Sequence, residues 1–176
     1  MTRKYILTGA PGSGKSSILL DLESRGEHII REAAEDVIKL YQARGIEKPW
    51  EMPNFQKRIT DLQIQRESRI PNDIRRVFID RGIPDGLAYT RKESDIYKEI
   101  MKNIRPYEGV FLINMIGNPE KTKVRIEDYE EALEIERKIN EVYLFLGYEI
   151  PKIPADSIEE RTNIILDIID EGMKLR

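Results

Sequence analysis

The chain has 176 residues, no cysteine, one histidine, and 29 basic against 32 acidic side chains, for a net charge of −3. This length suits one compact domain, which can bury enough surface to hold its fold without disulfides or structural zinc. The missing cysteines exclude a disulfide framework, thiolate zinc sites and a catalytic thiol, and the balanced charge excludes a protein that holds nucleic acid through a general basic field.

The chain also shows no signal for export or for membrane insertion. No apolar run approaches the length of a membrane span, and the first residues, MTRKYILTGAPG, break at Gly9 before a signal-peptide core can form. No repeat, low-complexity stretch or long linker interrupts the sequence. We therefore expect a cytoplasmic protein without a membrane span, in which residues 1–176 form a single domain.

Short apolar runs alternate with longer segments of helical periodicity, which is the order expected of a parallel sheet with crossover helices. The predicted strands are residues 4–8, 28–31, 76–80, 109–115 and 149–152. The predicted helices are approximately residues 15–24, 33–43, 54–70, 85–103, 128–146 and 157–174. This pattern predicts an α/β fold in three layers, with a five-stranded parallel sheet and a ligand site beyond the carboxyl ends of its strands.

A glycine-rich loop directly follows the first predicted strand and opens the first helix. Its sequence, Gly9-Ala10-Pro11-Gly12-Ser13-Gly14-Lys15-Ser16, matches the phosphate-loop pattern G-x-x-x-x-G-K-[ST]. The glycines let backbone N–H groups turn inward around a phosphate, and the helix N-terminus adds a partial positive charge. Lys15 is expected to reach the β and γ phosphates, and the Ser16 hydroxyl to ligate Mg²⁺. Together with Ser17, this loop predicts the binding of a nucleoside triphosphate, with ATP as the expected ligand and GTP as the alternative.

Other residues narrow the class of phosphate-loop protein. The Asn-Lys-x-Asp sequence with which Ras-type GTPases read guanine is absent. A motor ATPase usually ends a strand with adjacent Asp and Glu, whereas here Asp80 is followed by Arg81, so no neighbouring carboxylate can activate water. Small phosphotransferases fit best, because they need only a core, a substrate region and a cationic lid.

Three charged residues at the predicted strand ends are candidates for catalysis. Asp80, at the end of the third strand, is suited to hold Mg²⁺, and Arg81 beside it is suited to bind a substrate oxygen or phosphate. Glu32, at the end of the second strand, could accept a proton from a substrate hydroxyl as a general base. Each also has a purely structural interpretation: Asp80 as a helix cap, Arg81 as a surface residue, and Glu32 as a partner of a helix dipole.

Two irregular stretches supply further candidates. Lys121, Lys123 and Arg125 lie in a predicted lid loop over about residues 117–127, and Arg125 is the strongest candidate to close on the triphosphate. Trp50, Phe55 and Gln63 lie in or after the sequence PWEMPNFQ. An aromatic residue there could stack on the ring of a ligand and the amide could form a hydrogen bond with the edge of that ring, or these residues could belong to the core or cap a helix.

A series of motifs along nearly the whole chain resembles one family. The motifs are TGAPGSGKSS, REAAEDVI, KPWEMPNFQKRITDLQIQRE, VFIDRGIPDGLAY, GVFLI, the lid arginine, VYLFLGYEI and IPADSIEERTNIIL. They resemble a family of predicted AAA-type ATPases of the phosphate-loop NTPase class. That family groups with the bacterial nicotinamide riboside kinase domain and with an insect photoreceptor trafficking protein that binds GTP. The resemblance implies a fold like that of nucleoside and nucleotide kinases, with Mg-nucleotide bound at residues 9–16. It also supports Glu32, Asp80, Arg81 and Arg125 as site residues.

Two functions follow as hypotheses. The first is a Mg²⁺-dependent phosphotransferase that moves the γ-phosphoryl group of ATP to an unidentified small molecule, such as a nucleoside or a nucleotide. The second is a nucleotide-dependent switch, or an ATPase or GTPase, that binds a protein or lipid partner. The sequence leaves the acceptor and the oligomeric state open.

Overall fold

A computed structural model describes residues 1–115 and 126–172, with the backbone alone for residues 126–129. Its five strands are β1 (Arg3–Thr8), β2 (His28–Ile30), β3 (Arg76–Asp80), β4 (Gly109–Ile113) and β5 (Lys152–Ile153). Its α-helices are α1 (Lys15–Ser24), α2 (Ala33–Ala43), α3 (Phe55–Ser68), α4 (Asp95–Asn103), α5 (Ile126–Phe145) and α6 (Ile158–Asp170). Two 3₁₀ helices, Pro49–Glu51 and Ile83–Tyr89, complete the described elements.

All five strands are parallel and lie in the order β2-β3-β1-β4-β5. Alternate residues of β1 enter different cores: Tyr5 and Leu7 pack with α1 and α6, whereas Ile6 packs with α5 on the opposite face. The sheet is therefore covered by helices on both faces, which explains why its strands read as continuous apolar runs. The expected three-layer α/β fold is confirmed.

The elements near the phosphate loop match the sequence predictions closely, and those farther away match less well. Helices α1 and α2 and strand β3 have the predicted bounds, whereas β4 stops two residues before the predicted end. Strand β5 shares only Lys152 with the prediction, because the ladder with β4 is formed around Pro151, whose carbonyl accepts from Leu112 N at 3.0 Å.

The single helix predicted over residues 85–103 is wrong. The chain instead forms the 3₁₀ helix Ile83–Tyr89, turns, and begins α4 at Asp95. Glu93 takes a left-handed conformation with φ of 64°, and the hydroxyl of Ser94 then caps α4 by accepting from Tyr97 N. The side chain of Asp85 folds back onto Gly82 N at 2.9 Å, so it serves the turn after β3 and does not lie on a helix surface.

Candidate functional site

The phosphate loop, residues 9–16, leaves the central strand β1 and ends at the start of α1. Gly9 has φ of +133°, and a Cβ there would lie 2.7 Å from the carbonyl oxygen of Ile113 in β4. Gly14, at the N-cap of α1, has φ of +93°. Both positions need glycine, because an L side chain rarely adopts such angles and at Gly9 it would also strike backbone.

Some residues of this loop are open to a ligand, whereas others are buried beneath it. Pro11, Gly12, Ser16 and the following Ser17 are exposed, whereas Ala10, Ser13 and Lys15 are buried. The exposed backbone and the hydroxyls therefore lie where a ligand can reach them. The buried residues support the loop from beneath.

The Lys15 ammonium lies against the oxygen atoms of its own loop. Nζ donates to the carbonyl oxygen of Ala10 at 2.8 Å, to that of Gly9 at 3.3 Å and to Ser13 Oγ at 3.2 Å. Burial, with the nearby Arg81 guanidinium, lowers the pKa of Lys15 to about 8. A positive charge here is costly in the free protein, so a phosphate anion that compensates it would be stabilised strongly.

Asp80 faces the phosphate loop from the end of β3. Its Oδ2 accepts from Ser16 Oγ at 3.0 Å, while its buried Oδ1 has no hydrogen-bond partner among the described residues. Burial raises the pKa of Asp80 to about 6, although Lys15 acts in the opposite direction. An orphaned carboxylate oxygen beside a hydroxyl is the donor chemistry that Mg²⁺ prefers, so these two residues fit the predicted metal site.

No cluster of three or more His, Asp or Glu side chains suited to a metal ion occurs within residues 1–115 and 130–172, whose side chains the structure describes. The pair Ser16 and Asp80 is therefore the candidate metal site in that part of the chain. A site with two protein ligands is typical of Mg²⁺, which usually completes its octahedral shell with water and nucleotide phosphates.

Arg81 is held in place from several sides. Its backbone adopts φ of 62°, and its N–H donates to the Leu7 carbonyl at 3.0 Å. Its Nε donates to Glu32 Oε1 at 3.1 Å, and its Nη1 lies 3.4 Å from Asp85 Oδ1. Burial alone would lower the pKa of Arg81, but Tyr89, Asp85 and Glu32 hold it above its usual value. The interpretation of Arg81 as a surface residue does not fit, since it is largely buried.

Asp85 is a buried residue of this site that was not singled out from the sequence. Its Oδ2 accepts from Gly82 N at 2.9 Å and from the Tyr143 hydroxyl at 2.6 Å, and its Oδ1 also accepts from the Thr8 hydroxyl. It thus joins the turn after β3 to the end of β1 and to α5. An acid four residues after Arg81, behind a proline, was the available signal in the sequence.

A second group of hydrogen-bonded side chains, which begins on α3, supports the same turn. Gln63 Nε2 donates to the Arg81 carbonyl and to Glu67 Oε1, each at 3.0 Å. Tyr107 donates its hydroxyl to Glu67 and accepts from Ile83 N at 3.1 Å. Burial raises the pKa of Glu67. These contacts hold the left-handed turn at Arg81 through its own carbonyl group and through Ile83, two residues later.

Beside Arg81 lies a cavity of about 220 Å³. Apolar side chains of α2 and α3, including Ile38, Phe55 and Ile59, form much of its wall. Its polar and charged lining residues are Glu32, Gln56, Thr60, Gln63, Arg81, Asp85 and Tyr89. This space adjoins the strand ends and is suited to a small molecule rather than a macromolecule.

The structure brings some of the predicted residues together and separates others. Lys15, Glu32, Asp80 and Arg81 meet at the carboxyl edge of the sheet, and Phe55 and Gln63 line the cavity. Trp50 is 53% exposed and does not line it. Lys121, Lys123, Arg125 and most of the predicted lid lie outside the described residues.

Comparison with known proteins places the chain in a family. The model of a family described as "AAA domain" matches residues 4–161. The chain belongs to this AAA domain family. The match covers most of the AAA domain protein, including the phosphate loop, Glu32 and Asp80, and it confirms the family resemblance expected from the sequence.

Solved structures share the fold of this AAA domain protein at low sequence identity. The NadR protein in complex with NAD and AMP-PNP superposes with a TM-score of 0.72 at 15% identity, over 99% of this chain and 50% of that one. A deoxyadenosine kinase from M. mycoides, with dCMP and dCDP bound, gives 0.65 at 14% identity over 96% and 99%. The thymidylate kinase from Ehrlichia chaffeensis gives 0.65 at 15% identity over 96% and 98%.

These structures show that the AAA domain protein has a phosphate-loop NTPase fold similar to that of nucleoside and nucleotide kinases. The chain spans about half the length of the NadR structures that it matches. No curated protein matches it. In the described part of the chain, no helix is long and apolar enough to cross a membrane.

Proposed function

We propose that this protein is a Mg²⁺-dependent phosphotransferase that moves the γ-phosphoryl group of ATP to a small molecule seated in the 220 Å³ cavity. The observation that supports it most is the position of this cavity. Glu32 and Arg81 line its wall, and the same residues adjoin Lys15 and Asp80 beside the phosphate loop. Donor and acceptor would therefore meet at one edge of the sheet.

The donor half of the site would be built by residues 9–17. The backbone N–H groups of the loop and the α1 N-terminus would bind the phosphates, and Lys15 would turn from its loop carbonyls toward the β and γ oxygens. Ser16 and Asp80 would hold Mg²⁺, which neutralises charge on the β and γ phosphates when it is bound. Arg125, in the predicted lid, remains a candidate to cover the triphosphate.

The acceptor half would be built by Glu32, Arg81 and the apolar walls. Phe55 and Ile59 would exclude water from the acceptor, and Arg81 would orient it. Glu32 would take the proton of an acceptor hydroxyl as the phosphoryl group is transferred. Its Oε1 contacts Arg81, and no hydrogen bond to its Oε2 is found among the described residues.

The test is a metabolite screen with ATP and Mg²⁺, read by ADP release and by mass spectrometry of the products. A compound that accelerates ADP release and gains one phosphoryl group would support the proposal. The alternative, a nucleotide-dependent switch, predicts slow turnover that no metabolite in the screen changes. The protein variant Lys15→Ala provides the control, because ADP release that persists in it does not come from this site.

A further inference from the structure

The charged side chains that line the acceptor cavity carry more negative than positive charge. Its described lining contains two carboxylates, Glu32 and Asp85, and one cation, Arg81. No lysine and no second arginine of the described residues faces it. An acceptor that enters the cavity therefore meets one more negative group than positive.

The one cation is also already paired. Arg81 donates to Glu32 through Nε at 3.1 Å and approaches Asp85 through Nη1 at 3.4 Å, while its guanidinium lies 5.9 Å from the ring centre of Tyr89. The buried Asp85 has its own fixed donors in Gly82, Tyr143 and Thr8. A phosphate group on the acceptor could bind only the remaining N–H groups of Arg81, and it would then lie close to both carboxylates.

The apolar part of the cavity wall also disfavours a phosphate group on the acceptor. A dianionic phosphate is recognised by bidentate arginines, by several cations or by a helix N-terminus. In this cavity the groups beyond the charged triad are mostly aliphatic and aromatic side chains and the amides of Gln56 and Gln63. The first residues of α2, Ala33 and Ala34, also line it, but the carboxylate of Glu32 lies directly before that helix N-terminus and disfavours an anion there. Such a lining suits an uncharged ring or sugar, which needs apolar contact and a few hydrogen bonds.

We infer that the acceptor is a small molecule that carries a free hydroxyl group and no phosphate, of the nucleoside class rather than the nucleoside monophosphate class. This inference rests on the proposed function and specifies its substrate. Arg81 orients the acceptor while it stays paired with Glu32, and Asp85 fixes the position of Arg81.

The corresponding transfer balances without any further reactant. A bond forms between the acceptor hydroxyl oxygen and the γ-phosphorus of ATP. The bond between that phosphorus and the β–γ bridging oxygen breaks, and its electron pair leaves with ADP. The hydroxyl proton passes to the carboxylate of Glu32 and from there to solvent. A monophosphate acceptor is already ionised and would need no such base.

Matched pairs of acceptors provide the test. Adenosine, thymidine and nicotinamide riboside are each compared with their own 5′-monophosphate, with ATP and Mg²⁺ for transfer and with a non-hydrolysable ATP analogue for calorimetric binding. Because like charges placed together are strongly disfavoured, each nucleoside that binds is expected to do so about tenfold or more tightly than its monophosphate. Transfer is expected to show the same preference.

The outcomes separate this inference from the function on which it rests. A monophosphate that binds or reacts better than its nucleoside would overturn the inference and leave the phosphotransferase intact. If no member of any pair or of the wider metabolite screen binds or is phosphorylated, the proposed function fails and the inference fails with it.

A charge variant sharpens the comparison. Glu32→Gln removes one carboxylate and releases Arg81 from it, so the tenfold preference in binding should shrink or reverse in favour of the monophosphate. Glu35→Gln is the matched control, since Glu35 pairs with Lys39 at 2.6 Å on the surface of α2 and does not line the cavity. An unchanged preference in Glu32→Gln would overturn the charge argument.

Discussion

Arg161 of α6 donates a hydrogen bond of 2.9 Å to the carbonyl oxygen of Ser13, a residue 148 positions earlier in the chain. Its other terminal nitrogen donates to the Asn114 carbonyl at 2.6 Å, just beyond β4. The side chain is fully buried, and burial lowers its pKa. Arg161 therefore ties the base of the phosphate loop to the end of a neighbouring strand.

The first prediction concerns this tie. Arg161→Met leaves two carbonyl oxygens without their donor, and each unsatisfied buried group costs about 1–3 kcal/mol, offset in part because a buried charge is removed. We expect lower thermal stability and a roughly tenfold loss of ATP affinity, measured by calorimetry. Arg137→Met, which changes an exposed arginine of α5, should leave both quantities unchanged. If Arg161→Met binds ATP with wild-type affinity, the hydrogen bonds of Arg161 do not hold the phosphate loop in its binding conformation.

The second prediction separates the binding role of Lys15 from its effect on stability. Lys15→Met should weaken Mg-triphosphate binding by about 2–5 kcal/mol, because phosphate charge is left unpaired in the loop. Burial lowers the pKa of Lys15 from 10.5 to about 8, so the penalty of holding it charged is absent above pH 10.5 and complete below pH 8. Without nucleotide at pH 7, the variant should therefore unfold no more easily than the wild type. Retained binding in a folded variant would mean that the nucleotide binds elsewhere.

The third prediction tests the metal role of Asp80. Asp80→Asn keeps the shape of the side chain but removes the charge that faces the proposed Mg²⁺. We expect the variant to bind ATP without Mg²⁺ about as well as the wild type, and to lose most of the gain that Mg²⁺ provides. Titration calorimetry with and without Mg²⁺ measures both quantities. An equal Mg²⁺ effect in the two proteins would show that Asp80 does not hold the metal.

The fourth prediction follows from the titration of Asp80 in the absence of metal. Burial raises the pKa of Asp80 from 3.8 to about 6, so the folded protein binds this proton better than the unfolded chain does. The stabilisation is complete below pH 3.8 and is lost as the pH rises through 6. As the pH rises from about 4 to 7, the wild type should therefore lose up to about 3 kcal/mol of unfolding free energy relative to Asp80→Asn. Denaturant titrations across this range measure the shift, and parallel pH profiles would contradict it.

The fifth prediction concerns catalysis by Glu32. With a hydroxyl acceptor, Glu32→Gln should lower phosphoryl transfer by about 10²-fold or more, because proton abstraction contributes in the transition state. ATP affinity should stay near the wild-type value, since Glu32 lines the acceptor cavity and forms its hydrogen bond with Arg81, while no hydrogen bond joins it to the phosphate loop within the described residues. The rate of transfer and the calorimetric affinity are measured on the same preparation, with Glu35→Gln as the control. Full transfer in Glu32→Gln would refute the general-base role.

Features that depend on nearby residues could be predicted from the sequence. The phosphate loop needs glycine at Gly9 and Gly14, because both positions adopt backbone angles that other residues rarely take. These positions are close in sequence, so a short sequence pattern predicts the loop. The buried strands β1, β3 and β4 appear as apolar runs because helices cover both faces of the sheet. The meeting of Glu32 and Asp80 also follows from the sequence, since the carboxyl ends of parallel strands share one edge.

Other features depend on contacts between distant parts of the chain. The first part of the helix predicted over residues 85–103 is instead a 3₁₀ helix, in which Asp85 bonds to Tyr143, 58 residues later, and pairs with Arg81. Arg161 lies in the helix predicted over residues 157–174 and was not singled out from the sequence, yet packing buries it against Ser13. The paired state of Arg81, which limits the charge an acceptor can bring, depends on Glu32, 49 residues earlier. Local pattern thus determined the sheet and the phosphate loop, whereas packing decided which charges are buried, paired or left facing the cavity, because those contacts join residues that no short stretch of sequence contains together.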